Sequence, residues 1–304
     1  MQDTRSELKV KLDKLAAGSV SIPDLQKMLM AGPERSLALT SDSIEVRMNN
    51  PARAYKWEMA DPRTAVACLI AVGEYEPLET QILRNISKSC RVVIDIGANV
   101  GYYTVELGKE LQPAGKLISI EPVLQSFLQL SGNVRLNNLS GTVELCCVGL
   151  SDVSGTAEMF IPNVSGSSAA SMRNLHSDEK HESQVIKLET LDNLLESMKL
   201  EGCDLIKIDV EGAEFPALKG AEQTIKKYKP VIFAELLRKW SSEFSYHPNS
   251  VLEFLVDRGY SCWGVSPQLR YITEFTDMDQ ETNFIFVHTS DKHGVVEYLE
   301  SLRS

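Results

Sequence analysis

The chain has 304 residues, enough to bury one full-sized core as a single large domain or as a domain with an extension. Apolar residues make up 43% and charged residues 24%, which excludes a disordered chain. A net charge of -11 excludes a general positive field that would draw it to nucleic acid or to an anionic membrane, so small-molecule or neutral partners are expected.

Residues 1–7 are polar and are not followed by the uninterrupted apolar run of a secretory signal. Leu8, Leu12 and Leu15, then Leu25, Met28 and Leu29, fall at helical spacing and predict two short helices, interrupted at Gly18 and Pro23 and ended by Gly32-Pro33. The polar stretch 41–56 reads as loop or short strand, and residues 1–60 as a whole as an N-terminal helical extension. Asp61-Pro62 starts a helix that leads through residues 65–72 to Gly73, and a second helix from Pro77 carries Leu78, Ile82 and Leu83.

Apolar runs of strand length then alternate with helical patterns: residues 91–96, 117–121, 143–150, 205–210, 231–235 and 283–288. That alternation implies an α/β fold with a mostly parallel sheet and helices on both faces. Residues just beyond each run fall at the edge where such sheets bind ligands. Between the third and fourth runs, residues 151–183 are rich in Ser and Gly and read more as a plain surface excursion than as a mobile loop over the site. His176 and His181 within it read as exposed. No apolar run reaches the length of a membrane span, and six cysteines without a Cys-x-x-Cys pair suggest buried reduced thiols, so a soluble cytoplasmic protein is expected.

Three segments carry chemistry. In Asp95-Ile96-Gly97-Ala98-Asn99-Val100-Gly101 a buried strand gives way to glycines and a helix. Gly97 lets the backbone approach a ligand, and Gly101 permits close packing where the helix starts. A dinucleotide site wants glycine at the position of Asn99, so the turn suits a ligand with a cationic amino group and no phosphate; adenosylmethionine is such a ligand and NAD is not. Glu121, at the end of the next strand, stands where a carboxylate accepts both ribose hydroxyls of an adenosine. The run Leu205-Ile206-Lys207-Ile208-Asp209-Val210-Glu211-Gly212 ends in alternate acids that either face the same crevice or cap the following helix.

These segments, together with Leu218-Lys219-Gly220-Ala221 and the ordered phrases Gly73-Glu74-Tyr75-Glu76-Pro77, Leu188-Glu189-Thr190-Leu191-Asp192, Pro230-Val231-Ile232-Phe233-Ala234-Glu235 and Asn283-Phe284-Ile285-Phe286-Val287, resemble the FkbM family of methyltransferases over about residues 61–290. Residues 291–304, beyond that span, read as a C-terminal helical tail. The resemblance implies a class I methyltransferase (Rossmann-like) fold of seven strands, the last antiparallel. It implies methyl transfer from adenosylmethionine, mostly to hydroxyls of small molecules or sugars. On it, the cofactor set is Asp95, Gly97, Asn99, Gly101, Tyr102, Thr104 and Glu121, with Val148 and Asp152 more loosely placed by the adenine.

An alcohol acceptor needs a base, and Asp209, Glu211, Glu235 and His247 are the candidates. Asp209 and Glu235 also offer two ligands for a divalent metal that would lower the hydroxyl pKa, with water or substrate supplying the rest. Trp240, Phe244 and Tyr246 fit an acceptor pocket, core packing or an interface equally. The N-terminal helices offer a homodimer contact or a lid. Two rival functions stand beside this one: an NAD-dependent oxidoreductase, disfavoured by Asn99, and a catalytically silent cofactor-binding interaction module.

Overall fold

The computed structural model describes residues 10–11, 13–15, 19–30, 35–40, 44–49, 52–57, 64–163, 167–178, 180–265, 269–276 and 281–303. Leu8, Leu12 and Gly18, the Gly32-Pro33 stop, the Asp61-Pro62 start, and Ser165 and Gly166 lie outside the described residues. The extension holds helix α1 (Ile22–Met30) and an antiparallel sheet of β1 (Arg35–Leu39), β2 (Ile44–Asn49) and β3 (Ala52–Trp57), so it is helical only in part. In β3, buried Arg53, Tyr55 and Trp57 alternate with Ala54 and Lys56. The strand period is hidden because one inward position is Arg53, which is buried against Glu106 and Glu110 far along the chain.

Next come α2 (Ala65–Val72), α3 (Pro77–Ser87), β4 (Val92–Ile96), α4 (Tyr102–Gly108), β5 (Lys116–Ile120), α5 (Leu124–Leu136) and β6 (Val143–Cys146). The third expected run is therefore two strands. β6 ends at Cys146, and β7 (Gly149–Leu150) turns away to pair with β9 (His181–Glu189), itself paired with β8 (Gly155–Pro162). After α6 (Leu191–Ser197) follow β10 (Leu205–Ile208), α7 (Glu214–Lys219), α8 (Glu222–Tyr228), β11 (Val231–Glu235), α9 (Arg238–Ser241), α10 (Pro248–Val256), β12 (Tyr260–Gly264), β13 (Arg270–Ile272), β14 (Asn283–His288) and α11 (Val295–Ser301).

The central sheet runs β13-β12-β14-β11-β10-β4-β5-β6. Neighbours from β11 to β6 are parallel, and β14 is antiparallel to both β11 and β12. The seven expected strands are present, and β13 adds an eighth at the edge. One face packs Val93, Leu117, Leu205 and Phe233 against α2 to α5; the other packs Ile94, Ile118, Ile206 and Ile232 against α6 to α8 and α10. Burial on both faces is why these strands read as continuous apolar runs. Asp95 and Lys207 interrupt that pattern, side by side on β4 and β10. Among the described residues no helix is long and apolar enough to cross a membrane. All six cysteines are free, and Cys147 is exposed.

Candidate active site

The turn after β4 is built from residues that tolerate the left-handed backbone region: Gly97 (φ 73°), Asn99 (φ 49°) and Gly101 (φ 89°). A Cβ on Gly97 would lie 1.8 Å from the Asp209 carbonyl oxygen, so glycine alone lets this turn meet the turn after β10. Asn99 serves the conformation, with its Oδ1 accepting the Val100 N–H at 2.7 Å. Its own N–H donates to Glu121 Oε2 at 2.9 Å, and the Val123 N–H donates to Glu121 Oε1 at 2.8 Å. Each Glu121 oxygen keeps a further lone pair for a ligand hydroxyl. Burial pushes this carboxyl up to about 7.

A cavity of about 320 Å³ opens beside the turn. Gly97, Asn99, Tyr102 and Glu121 line it together with Asp209, Glu211 and Glu235. One oxygen from each of these last three carboxylates lies within 4.8 Å of the others. Burial, then the charge of Asp209, drives Glu235 well above the carboxylate range. Burial, then Asp209 and Glu214, raises Glu211 to about 8, and burial raises Glu76, a further lining residue, to about 7. Such carboxyls hold protons more tightly folded than unfolded, so their contribution to stability is full below about pH 4.5 and is lost as pH rises through 7 to 8. We expect the ligand-free melting temperature to drop by roughly 5–10 °C between about pH 5 and pH 8.5, read by differential scanning fluorimetry.

Several residues named from sequence do not face the cavity. Asp95, expected to meet the cofactor, is fully buried and accepts the Thr104 hydroxyl at 2.6 Å, with Lys207 Nζ 3.8 Å away. Thr104 is likewise inside, holding Asp95, and Gly101 is the N-cap of α4, where a Cβ would meet Leu130. His247 is the N-cap of α10, its Nδ1 accepting the Asn249 N–H at 3.1 Å, which removes it from the base candidates. Asp152 pairs with Lys219 at 2.6 Å on the surface. Val148 lines a separate small apolar pocket of about 30 Å³ that it shares with Gly97, Ile120 and Pro122.

Other lining residues were not singled out as site residues from the sequence. Lys207, Tyr75, Glu76 and Tyr103 all border the cavity, and the Tyr103 hydroxyl donates to Glu76. The signal for Lys207 was a charge inside an otherwise apolar strand, and Tyr75 and Glu76 stood in the family-like phrase Gly73-Glu74-Tyr75-Glu76-Pro77; Tyr103 had none. The Ser-rich segment is also more than a surface excursion: a 3-10 turn, Ser167–Ala169, brings Ser168, Ala169 and Ala170 to the cavity wall. Buried Ser171 bridges to Phe160 and donates through its hydroxyl to the Glu211 carbonyl at 2.9 Å. Trp240 and Phe244 anchor this roof, against His176 and Arg173 respectively. His176 is half-buried by that contact, whereas His181 is exposed. Tyr246 donates to the Gly212 carbonyl at 2.9 Å and to Glu214 Oε2 at 3.0 Å, bracing the turn after β10.

Comparison with known proteins bears on this arrangement. Methyltransferase sdnD of Sordaria araneosa is 32% identical over 158 residues, covering 43% of this chain and 60% of that protein. Methyltransferase 1 of Beauveria bassiana (strain ARSEF 2860) is 30% identical over 146 residues, covering 43% of this chain and 58% of that protein. The chain thus spans about 60% of the length of these curated relatives. The crystal structure of methyltransferase FkbM from Methylobacillus flagellatus KT is 18% identical and superposes with a TM-score of 0.41, covering 64% of this chain and 43% of that one. Residues 95–262, from the end of β4 to β12, match the model of the methyltransferase FkbM domain. That match takes in more than half of the chain, which therefore belongs to the FkbM methyltransferase family.

Proposed function

We propose that the protein transfers a methyl group from adenosylmethionine to a hydroxyl of a small molecule or sugar. One observation carries this reading: the Gly97 turn and Glu121 share a single cavity with the carboxylates of Asp209 and Glu235. The residues fit the methyl donor. Gly97 and Asn99 of the turn line the cavity, Glu121 is fixed to accept ribose hydroxyls, and the apolar pocket at Ile120, Pro122 and Val148 suits an adenine edge. When bound, the donor supplies a methyl on a sulfonium, whose C–S electron pair leaves with the sulfur.

The protein's own part is to align the acceptor and remove its proton. Asp209 is the base, at the tip of β10 where the cavity begins; Glu235 and Glu211 hold the acceptor through hydrogen bonds. Ser168, Ala169 and Ala170 line the cavity and limit water there. The test is incubation with cell extract and isotope-labelled adenosylmethionine, followed by mass spectrometry of labelled products. Label on an oxygen supports the reading; label on nitrogen or carbon alone, or none, sinks it.

The same carboxylates have a competing use as ligands for a divalent ion. Lys207 Nζ already stands 3.4 Å from Asp209 Oδ2, so the site carries its own cation, and we favour proton transfer without metal. Treatment with a strong chelator is therefore expected to leave turnover within about twofold of the untreated enzyme, whereas a metal-assisted site would lose most of it. A Glu121→Gln variant is expected to weaken adenosylhomocysteine binding by about 10- to 100-fold, because a charge-assisted acceptor of ribose hydroxyls is lost. Isothermal calorimetry reads that change.

A further inference from the structure

Lys207 is a charged side chain where the apolar pattern calls for core. On β10 it is 3% exposed, directly beside Asp95 on β4 and Phe233 on β11. Its ammonium lies 3.2 Å from the Gly97 carbonyl oxygen, 3.4 Å from Asp209 Oδ2 and 3.8 Å from Asp95 Oδ1, and 5.3 Å from the centre of the Tyr103 ring. Thr104 holds Asp95 from behind and meets Ser119 Oγ at 2.9 Å. Burying an ammonium and a carboxylate is costly, and for stability alone an apolar pair commonly does as well. A buried ion pair whose far end reaches a cavity carboxylate therefore points to a task at that carboxylate.

We propose that Lys207 is a positioning residue for methyl transfer: clamped by Asp95 and the Gly97 carbonyl, it fixes the Asp209 carboxylate in place at the cavity. The inference rests on the reading that Asp209 is the base. The acceptor O–H bond breaks, its proton passes to Asp209, and its electron pair stays on the oxygen that takes the methyl group. Glu235 holds its own proton and donates a hydrogen bond.

The surroundings explain why a cation is needed there. Glu235 reaches Asp209 from β11, Glu76 and Tyr75 from the turn before α3, and Asp95 from β4. Tyr103 comes from α4, and Glu211, backed by Glu214, from the turn after β10. Lys239 of α9 acts on Glu211. Burial opposes charge on Lys207, yet Asp209, Asp95 and Glu76 together hold it above the ordinary lysine range. Without it, the contact that holds Asp209 Oδ2 at 3.4 Å is lost.

Removing Lys207 alone strands Asp95, so the test replaces the pair, Asp95→Asn with Lys207→Met, beside Lys207→Gln, which keeps a donor for the Gly97 carbonyl. Calorimetry and steady-state kinetics read each variant against the wild type. In both, adenosylhomocysteine affinity is expected to stay within about threefold, while kcat falls at least about 30-fold. Lys207→Arg, which keeps the charge and a donor, should restore most of kcat. A folded charge-removing variant that keeps kcat within about threefold of the wild type, or failure of both charge-removing variants to fold, overturns the proposal. An Asp209→Asn enzyme that turns over normally overturns the base assignment instead.

Discussion

Gly97→Ala is expected to destabilise the protein by about 3 kcal/mol or more and to abolish measurable adenosylhomocysteine binding. The added Cβ would sit 1.8 Å from the Asp209 carbonyl oxygen and 3.1 Å from Val210 Cγ1, and neither neighbour is a flexible side-chain end. The position also has φ 73°, which costs an L-residue on the order of 1 kcal/mol. Relief requires the β4 and β10 turns to separate, and that separation moves the Gly97 carbonyl away from Lys207 and Asp209 away from the cavity. Denaturant unfolding and calorimetry test both halves. Near-native stability with intact binding would mean that the two turns part freely and that their contact does not shape the site.

Asp209→Asn is expected to lower kcat by about 100- to 10,000-fold while changing adenosylhomocysteine affinity by less than about threefold. The amide keeps the shape of the carboxylate and loses its ability to take a proton. Glu235→Gln should cost much less, because burial and the charge of Asp209 already keep Glu235 in its protonated form. Steady-state kinetics on the labelled acceptor separates the two. Equal losses in both variants would make the carboxylates a shared unit rather than a base and its neighbour.

What could be read without coordinates divides along a physical line. The parallel sheet was legible because strands buried on both faces have no polar alternation, so β4, β5, β10 and β11 stand out as apolar runs between helical patterns. The turn from Gly97 to Gly101 was legible because local backbone geometry selects glycine and asparagine directly. β12 was harder to see, since Tyr260-Ser261-Cys262-Trp263-Gly264 mixes polar and small residues, and β3 was obscured by a buried charge, Arg53, paired across the fold.

By itself, then, the sequence determined the class of fold, the sheet edge where the candidate site lies and a set of candidate acids near it, because each depends on periodicity or on a single turn. Only the tertiary structure decided which of those residues face the cavity. It turned Asp95 inward to Lys207, made His247 a helix cap, left Asp152 on the surface, and brought Ser168, Ala169 and Ala170 of the Ser-rich segment to the cavity wall. The reason is that a side chain's partner is set by the register of strands distant in the chain. Lys207 stands opposite Asp95 through β10–β4 pairing, and nothing local to either residue specifies that contact.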